Sequence, residues 1–132
     1  MTRLFFSLVA AVLLASTALA DDIRTERVEF HKGANSATVH GTIKGRETVD
    51  YVLGARKGQS MNVSMATDNG ANYFNIIAPG KADEAMFVGS TSSNQFEGTV
   101  PASGDYKVRV YLMRSAARRD EVAKYRLEMI ID

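Results

Sequence analysis

The amino-acid sequence predicts an all-β protein, a single antiparallel β-sandwich of jelly-roll type with about eight short strands. Apolar and polar side chains alternate over short segments such as residues 37–44 and 106–113, which is the period of a half-buried strand. Turn-forming residues interrupt these segments about every 8–12 residues. No segment keeps a helical apolar period over three turns. These observations favour two packed sheets over a helical fold.

In chain order, residues 21–27 are charged and predict a loose lead-in. Eight segments that follow have strand-like patterns, with a weaker ninth at 85–88: residues 28–31, 37–44, 49–55, 60–66, 73–78, 96–100, 106–113 and 125–131. Glycine-containing segments between them predict tight turns. Only residues 115–122 are a candidate for a helix of one or two turns. With no internal repeat and no linker, residues 21–132 are expected to form one domain.

The first twenty residues have the organisation of a secretory signal peptide. Arg3 supplies the positive start, residues 4–15 form an apolar segment, and Ala18-Leu19-Ala20 is a small-residue cleavage site. The apolar segment is too short for a typical membrane span, although an uncleaved anchor is the alternative. The sequence therefore predicts export to the periplasm and removal of residues 1–20.

Charge and cysteine content exclude several classes of protein. The chain has 16 Lys and Arg against 15 Asp and Glu, so loss of Arg3 would leave a neutral domain. A neutral domain is not expected to bind nucleic acid or a membrane surface through its overall field. Because the chain has no cysteine, it can form neither disulfides nor a cysteine-based zinc site.

No pattern in the sequence indicates catalysis, a metal or a cofactor. Ser103 lacks the glycine-flanked elbow of a hydrolase nucleophile. His31 and His40 fall on different predicted segments, away from any spaced set of acidic ligands. The carboxylates are scattered over strands and turns, whereas glycoside hydrolysis needs two that face each other across a sugar. We therefore expect a binding protein and no enzyme.

Residues 101–125 are the best candidate for a binding surface. A turn at Pro101-Ala102-Ser103-Gly104 leads into a strand, and a polar loop carrying Arg114, Arg118 and Arg119 follows that strand. Arginine and tyrosine contribute strongly to protein interfaces. Taken alone, however, three arginines beside Asp120 and Glu121 are more typical of a solvated charged loop than of a binding site.

The same segment carries a resemblance to a known family. Ser103-Gly104-Asp105-Tyr106 resembles the Ser-Gly-x-Tyr signature of bacterial periplasmic lysozyme inhibitors, and the chain is most similar to the inhibitors of goose-type lysozyme. The further matches run in order through the chain: Val28-Glu29-Phe30-His31-Lys32-Gly33, Gly41-Thr42-Ile43-Lys44-Gly45, Lys57-Gly58-Gln59, Pro101-Ala102, and Arg114, Ala117-Arg118 and Lys124-Tyr125.

The resemblance implies a partner, goose-type lysozyme, whose deep cleft holds an essential catalytic glutamate. The arginine loop would enter this cleft, with the Ser-Gly turn beside it and Tyr106 bracing the turn from the core side. The partner-binding residues implied are Ser103, Gly104, Tyr106, Arg114, Arg118 and Arg119. The lysozyme class, the oligomeric state and the role of residues 81–95 stay open.

A second interpretation belongs to another class of protein. The sandwich pattern also resembles accessory β-domains of secreted peptidases, some of which bind polysaccharide or another protein. A sugar-binding module needs exposed aromatic rings for stacking, and the chain has no tryptophan. Few other aromatic residues are expected to face outwards, and Tyr111 is the clearest of them. This scarcity weakens the alternative without excluding it.

Overall fold

The computed structural model of the protein describes residues 23–132, so the predicted signal peptide lies outside the described residues. This part of the chain forms nine strands, one 3₁₀ turn at Gly89–Thr91 and one short helix. The strands are β1 (Ile23–Arg27), β2 (Ser36–Lys44), β3 (Thr48–Ala55), β4 (Ser60–Thr67), β5 (Asn72–Ile77), β6 (Ala85–Val88), β7 (Gln95–Thr99), β8 (Gly104–Leu112) and β9 (Val122–Ile131). The helix α1 spans Arg114–Arg118.

The strands form two sheets that pack face to face. The first sheet has the order β1-β3-β8-β5-β6 and the second the order β2-β9-β4-β7. Strands β2 to β9 alone give two four-stranded antiparallel sheets with the strand order of an eight-stranded jelly roll. The predicted all-β sandwich is confirmed. Among residues 23–132, the one departure from an antiparallel arrangement is β1, which pairs with β3 in parallel at the edge of the first sheet.

The core lies between the sheets and is built from alternate residues of the central strands. In β8, Tyr106, Val108 and Val110 are fully buried, whereas the residues between them face outwards. In β9 the same alternation buries Leu127 and Met129. Period-two patterning therefore places the core as the sequence predicts.

A pair of tyrosines joins the two sheets across the core. The hydroxyl groups of Tyr51 on β3 and Tyr125 on β9 share a hydrogen bond of 2.7 Å. Gly41 on β2 makes room for the second ring, because a Cβ at this position would lie 2.5 Å from the Tyr125 Cζ atom. The close approach explains why this strand position has no side chain.

Three details of the predicted secondary structure are wrong. Residues 23–27 form β1 instead of a loose lead-in. The side-chain pattern did not indicate this strand, because all five side chains are exposed and only backbone pairing with β3 defines it. Residues 28–31 form no strand, although Val28 is buried as the pattern suggested. The predicted helix at 115–122 is shorter and begins one residue earlier, since α1 spans Arg114–Arg118 and β9 already begins at Val122.

Candidate partner-binding site

Strand β8 separates the two elements that the sequence placed side by side. Its first residue, Gly104, pairs with Ala55, and its last, Leu112, pairs with Asn72. A strand of this length holds its ends roughly 27 Å apart, at about 3.4 Å per residue. The Ser-Gly turn therefore lies at one end of the sandwich and the arginine loop at the other. The expectation that they lie beside each other is wrong.

The Ser-Gly corner, which comprises Ser103, Gly104 and Tyr106, is held by its own hydrogen bonds. The buried Tyr106 hydroxyl donates to the Ala102 carbonyl oxygen at 2.6 Å and accepts from the Ala102 amide at 3.2 Å. This confirms that Tyr106 braces the turn from the core side. The exposed Ser103 accepts a hydrogen bond from the Lys57 amide at 2.8 Å.

Only glycine fits the first position of β8. Gly104 has a φ of +142°, which side-chain-bearing residues rarely adopt. A Cβ there would also lie 2.9 Å from the Pro79 Cβ atom. The glycine of the Ser-Gly motif is thus required by the fold, whether or not this corner contacts a partner.

A cleft of about 560 Å³ lies at the other end of the sandwich, and we call it the arginine cleft. The β2–β3 turn forms one wall, α1 forms another, and outward side chains of β5 and β8 form the floor. Its lining residues are Gly45, Arg46, Glu47, Thr48, Asn75, Arg109, Tyr111, Leu112, Arg114, Ala117 and Arg118. Four arginines from three parts of the chain therefore meet around one concavity.

The walls of the arginine cleft support each other. The Gly45 amide of the β2–β3 turn donates to the Glu121 carbonyl oxygen at 2.9 Å, just after α1. Gly45 has a φ of +60°, and a Cβ there would lie 2.8 Å from the Asp120 Oδ1 atom. Ala116 and Ala117 anchor α1 in the core. The loop is therefore held in place before any partner binds, which lowers the entropy lost on docking.

Three guanidinium groups at the cleft have no carboxylate bound to them within the described part of the chain. These are Arg46, Arg114 and Arg118, all of them exposed. Arg119 differs, because it does not line the cleft and its Nη2 lies 2.6 Å from the Glu121 Oε2 atom. Of the three loop arginines predicted to bind a partner, the structure brings two to the cleft.

Sequence reasoning missed Arg46 and Arg109. Arg46 belongs to a turn between β2 and β3, about seventy residues before α1, and only the sheet topology brings the two together. Arg109 lies on the outer face of β8, in agreement with the alternation over residues 106–113, but nothing in the sequence shows its neighbours. Its pKa is raised above the ordinary value, mainly because the guanidinium donates hydrogen bonds to Asp50.

Comparison with known proteins identifies the family. No protein-family model matches the chain. An Escherichia coli (strain K12) protein described as an inhibitor of g-type lysozyme is 34% identical over 121 residues, which cover 90% of this chain and 89% of that protein. The chain belongs to this family of g-type lysozyme inhibitors.

Solved structures of the family agree in fold. The periplasmic inhibitor of g-type lysozyme from Aeromonas hydrophila has a TM-score of 0.80 and 39% identity, covering 86% of this chain and 100% of that chain. The corresponding inhibitor from Salmonella Typhimurium has a TM-score of 0.65 and 34% identity, covering 83% and 98%. The predicted family is confirmed, and it is a family of periplasmic protein inhibitors, not enzymes.

The second interpretation is matched in fold alone. The pre-peptidase C-terminal domain of a Bacillus anthracis collagenase has a TM-score of 0.54 at 15% identity, which shows a shared sandwich and nothing about binding. Tyr111 is half-buried, and its hydroxyl donates to the Asn75 Oδ1 atom at 3.0 Å. This tyrosine is thus held by the cleft floor and does not stand free as a stacking platform.

Proposed function

We propose that this protein inhibits goose-type lysozyme by seating its arginine cleft over the acidic active groove of the enzyme. The result for the cell is tolerance of the lysozyme. The observation that carries the proposal is the set of three guanidinium groups around one concavity that have no ion-pair partner among residues 23–132, in a chain that belongs to a lysozyme-inhibitor family. Inhibition is by occlusion of the groove and involves no covalent step.

The chemistry of the cleft suits a carboxylate partner. A guanidinium group presents a planar set of donors that can grip a carboxylate through two charge-assisted hydrogen bonds. Arg114 and Arg118 lie one helical turn apart on α1, so that both side chains can reach one acidic group. Docking would remove water from the cleft and strengthen each of these contacts. The catalytic glutamate of the lysozyme is the acidic group that this geometry would capture.

Only one end of the sandwich faces the enzyme groove in this proposal. The Ser-Gly corner and the arginine cleft lie at opposite ends of β8, so one groove cannot receive them side by side. The arginine cleft is preferred because four arginines line it, whereas Ser103 and Tyr106 already use their hydroxyl groups within the corner. In this proposal the Ser-Gly motif stabilises the fold, and the arginine cleft binds the lysozyme.

A lysis assay tests the proposal. Cell-wall turbidity is followed with goose-, chicken- and invertebrate-type lysozymes, each titrated with residues 21–132. We expect inhibition of the goose-type enzyme, and we expect Arg118→Ala to weaken it by at least about 2 kcal/mol, or roughly 30-fold, as for an interface hot spot.

Matched controls separate the cleft from general charge. Arg126→Ala removes the same side chain from an exposed position of β9 that does not line the cleft, and it should leave inhibition unchanged. Ser103→Ala should also have little effect. If Arg114→Ala and Arg118→Ala both inhibit like the unaltered protein, the arginine cleft is not the binding site.

A further inference from the structure

Arg109 is held in one orientation by a buried carboxylate. It lies on the outer face of β8, opposite Asp50 of β3 on one side and Asn75 of β5 on the other. Its Nε donates to Asp50 Oδ1 at 2.7 Å and its Nη2 to Asp50 Oδ2 at 3.0 Å. Asp50 is only 3% exposed. This two-point contact fixes the plane of the guanidinium group against the sheet.

The remaining nitrogen of Arg109 has a much weaker contact. Nη1 donates to Asp83 Oδ1 at 3.0 Å. Asp83 lies between β5 and β6, and its side chain is 82% exposed, against 5% for that of Asp50. No other ion pair holds Asp83 within the part of the chain that the structure describes. An exposed pair of this kind contributes little and is easily exchanged.

We infer that Arg109 is a further lysozyme-binding residue, and that Asp83 occupies on it the place that a carboxylate of the lysozyme takes in the complex. The inference rests on the proposed function, because Arg109 lines the same cleft as Arg114 and Arg118. Asp83 is then an internal competitor for the site. Binding exchanges one carboxylate for another on a guanidinium group that is already oriented, while the Asp83 side chain turns into solvent.

The region of the chain between β5 and β6 thereby gains a role. Its residues 78–84 carry Asp83 to the edge of the arginine cleft, where that side chain lowers the charge that the cleft presents. The competition predicts that an exposed acidic side chain limits the affinity of this inhibitor for its target. Removing the competitor should therefore strengthen inhibition, which is the opposite of what loss of an ordinary contact does.

The test acts on Asp83, because replacing Arg109 would leave the buried Asp50 without its partner. Asp83→Asn keeps the shape and removes the charge. At low ionic strength it should lower the inhibition constant for goose-type lysozyme by about 2- to 5-fold, the range of an exposed ion pair. Asp105→Asn is the matched control, since Asp105 also forms an exposed ion pair, with Arg27, at the far end of β8. It changes the net charge equally and should leave inhibition unchanged.

A second measurement does not depend on the lysozyme. Acetate is titrated into the protein while the side-chain Nε–H resonance of Arg109 is followed by NMR. Acetate should shift this resonance at lower concentration in Asp83→Asn than in the unaltered protein. Equal acetate responses, or equal gains of inhibition from Asp83→Asn and Asp105→Asn, would overturn the inference. If the unaltered protein fails to inhibit any goose-type lysozyme, the proposed function is wrong, and the acetate titration still decides whether Asp83 competes for Arg109.

Discussion

Replacing Tyr106 with phenylalanine shows which end of β8 meets the lysozyme. The ring is fully buried, so the substitution removes only a hydroxyl group and leaves the packing in place. That hydroxyl makes two hydrogen bonds with the backbone of Ala102. At a net contribution of about 0.5–1.5 kcal/mol each, their loss should lower the free energy of unfolding by about 1–3 kcal/mol.

Urea unfolding of residues 21–132 measures the loss of stability. The midpoint should fall, while the slope of the free energy against urea stays the same, because the surface exposed on unfolding does not change. Inhibition is then measured at a temperature at which both proteins are folded. Under the proposed function the inhibition constant for goose-type lysozyme should be unaltered, since the Ser-Gly corner lies away from the arginine cleft.

A matched substitution in the core serves as the control. Tyr51→Phe also removes one buried hydroxyl hydrogen bond, at neither end of β8. A loss of inhibition common to both variants would reflect stability alone. If Tyr106→Phe inhibits at least about ten-fold more weakly while Tyr51→Phe does not, the Ser-Gly corner contacts the lysozyme and the placement of the site is refuted.

Two further predictions concern stability and pKa. Gly41→Ala should destabilise the fold by about 1–3 kcal/mol in urea unfolding, because its methyl group meets the Tyr125 ring, whereas Gly70→Ala, which meets nothing within 4 Å, should change stability by about 0.5 kcal/mol or less. Equal losses of stability in the two variants would contradict the close packing of Gly41 against the Tyr125 ring. The pKa of Glu121 lies below its ordinary value mainly because the Asn69 amide donates to it, so Asn69→Ala should raise that pKa in a carboxyl NMR titration. The stabilisation from this contact is present above the unfolded pKa and is lost as the pH falls through the lowered folded value, so the difference in stability between the two proteins should shrink in acid. A difference that does not depend on pH should remain, because Asn69 also accepts a hydrogen bond from the Ala71 amide and donates one to the Val122 carbonyl oxygen. An unchanged Glu121 pKa would show that Asn69 does not hold the carboxylate.

The sequence predicts the sandwich well where strands have one buried face. In β8 and β9 every second residue is apolar, and these residues are the buried ones. The edge strand β1 could not be found in this way, because neither of its faces packs on the core. Backbone pairing with β3 alone defines it, and backbone pairing leaves no pattern of side chains in the sequence.

The arginine cleft, as the candidate site, was predicted only in part, because it is assembled from distant segments. Arg114 and Arg118 are near each other in the chain, so a loop with two free arginines could be anticipated. Arg46 joins them because the β2–β3 turn packs on the residues after α1. The Ser-Gly corner and the arginine loop are close in sequence, but β8 lies between them. A strand holds its two ends apart, so neighbours in sequence on either side of it are not neighbours in space.

A nearly neutral chain can still present a positive cleft, because several of its carboxylates are bound to arginines other than Arg46, Arg114 and Arg118. Asp50 is bound to Arg109, Asp105 to Arg27 and Glu121 to Arg119. These three carboxylates are therefore not bound to Arg114 and Arg118 of α1 or to Arg46 of the β2–β3 turn. The field at a binding site thus depends on which charges are compensated locally, and net charge excludes a nucleic-acid partner without excluding an acidic protein groove. Under the proposed function this distribution has a physical advantage, since a domain with little net charge would approach the enzyme without strong attraction to other anions, and one end alone would set its orientation in the complex.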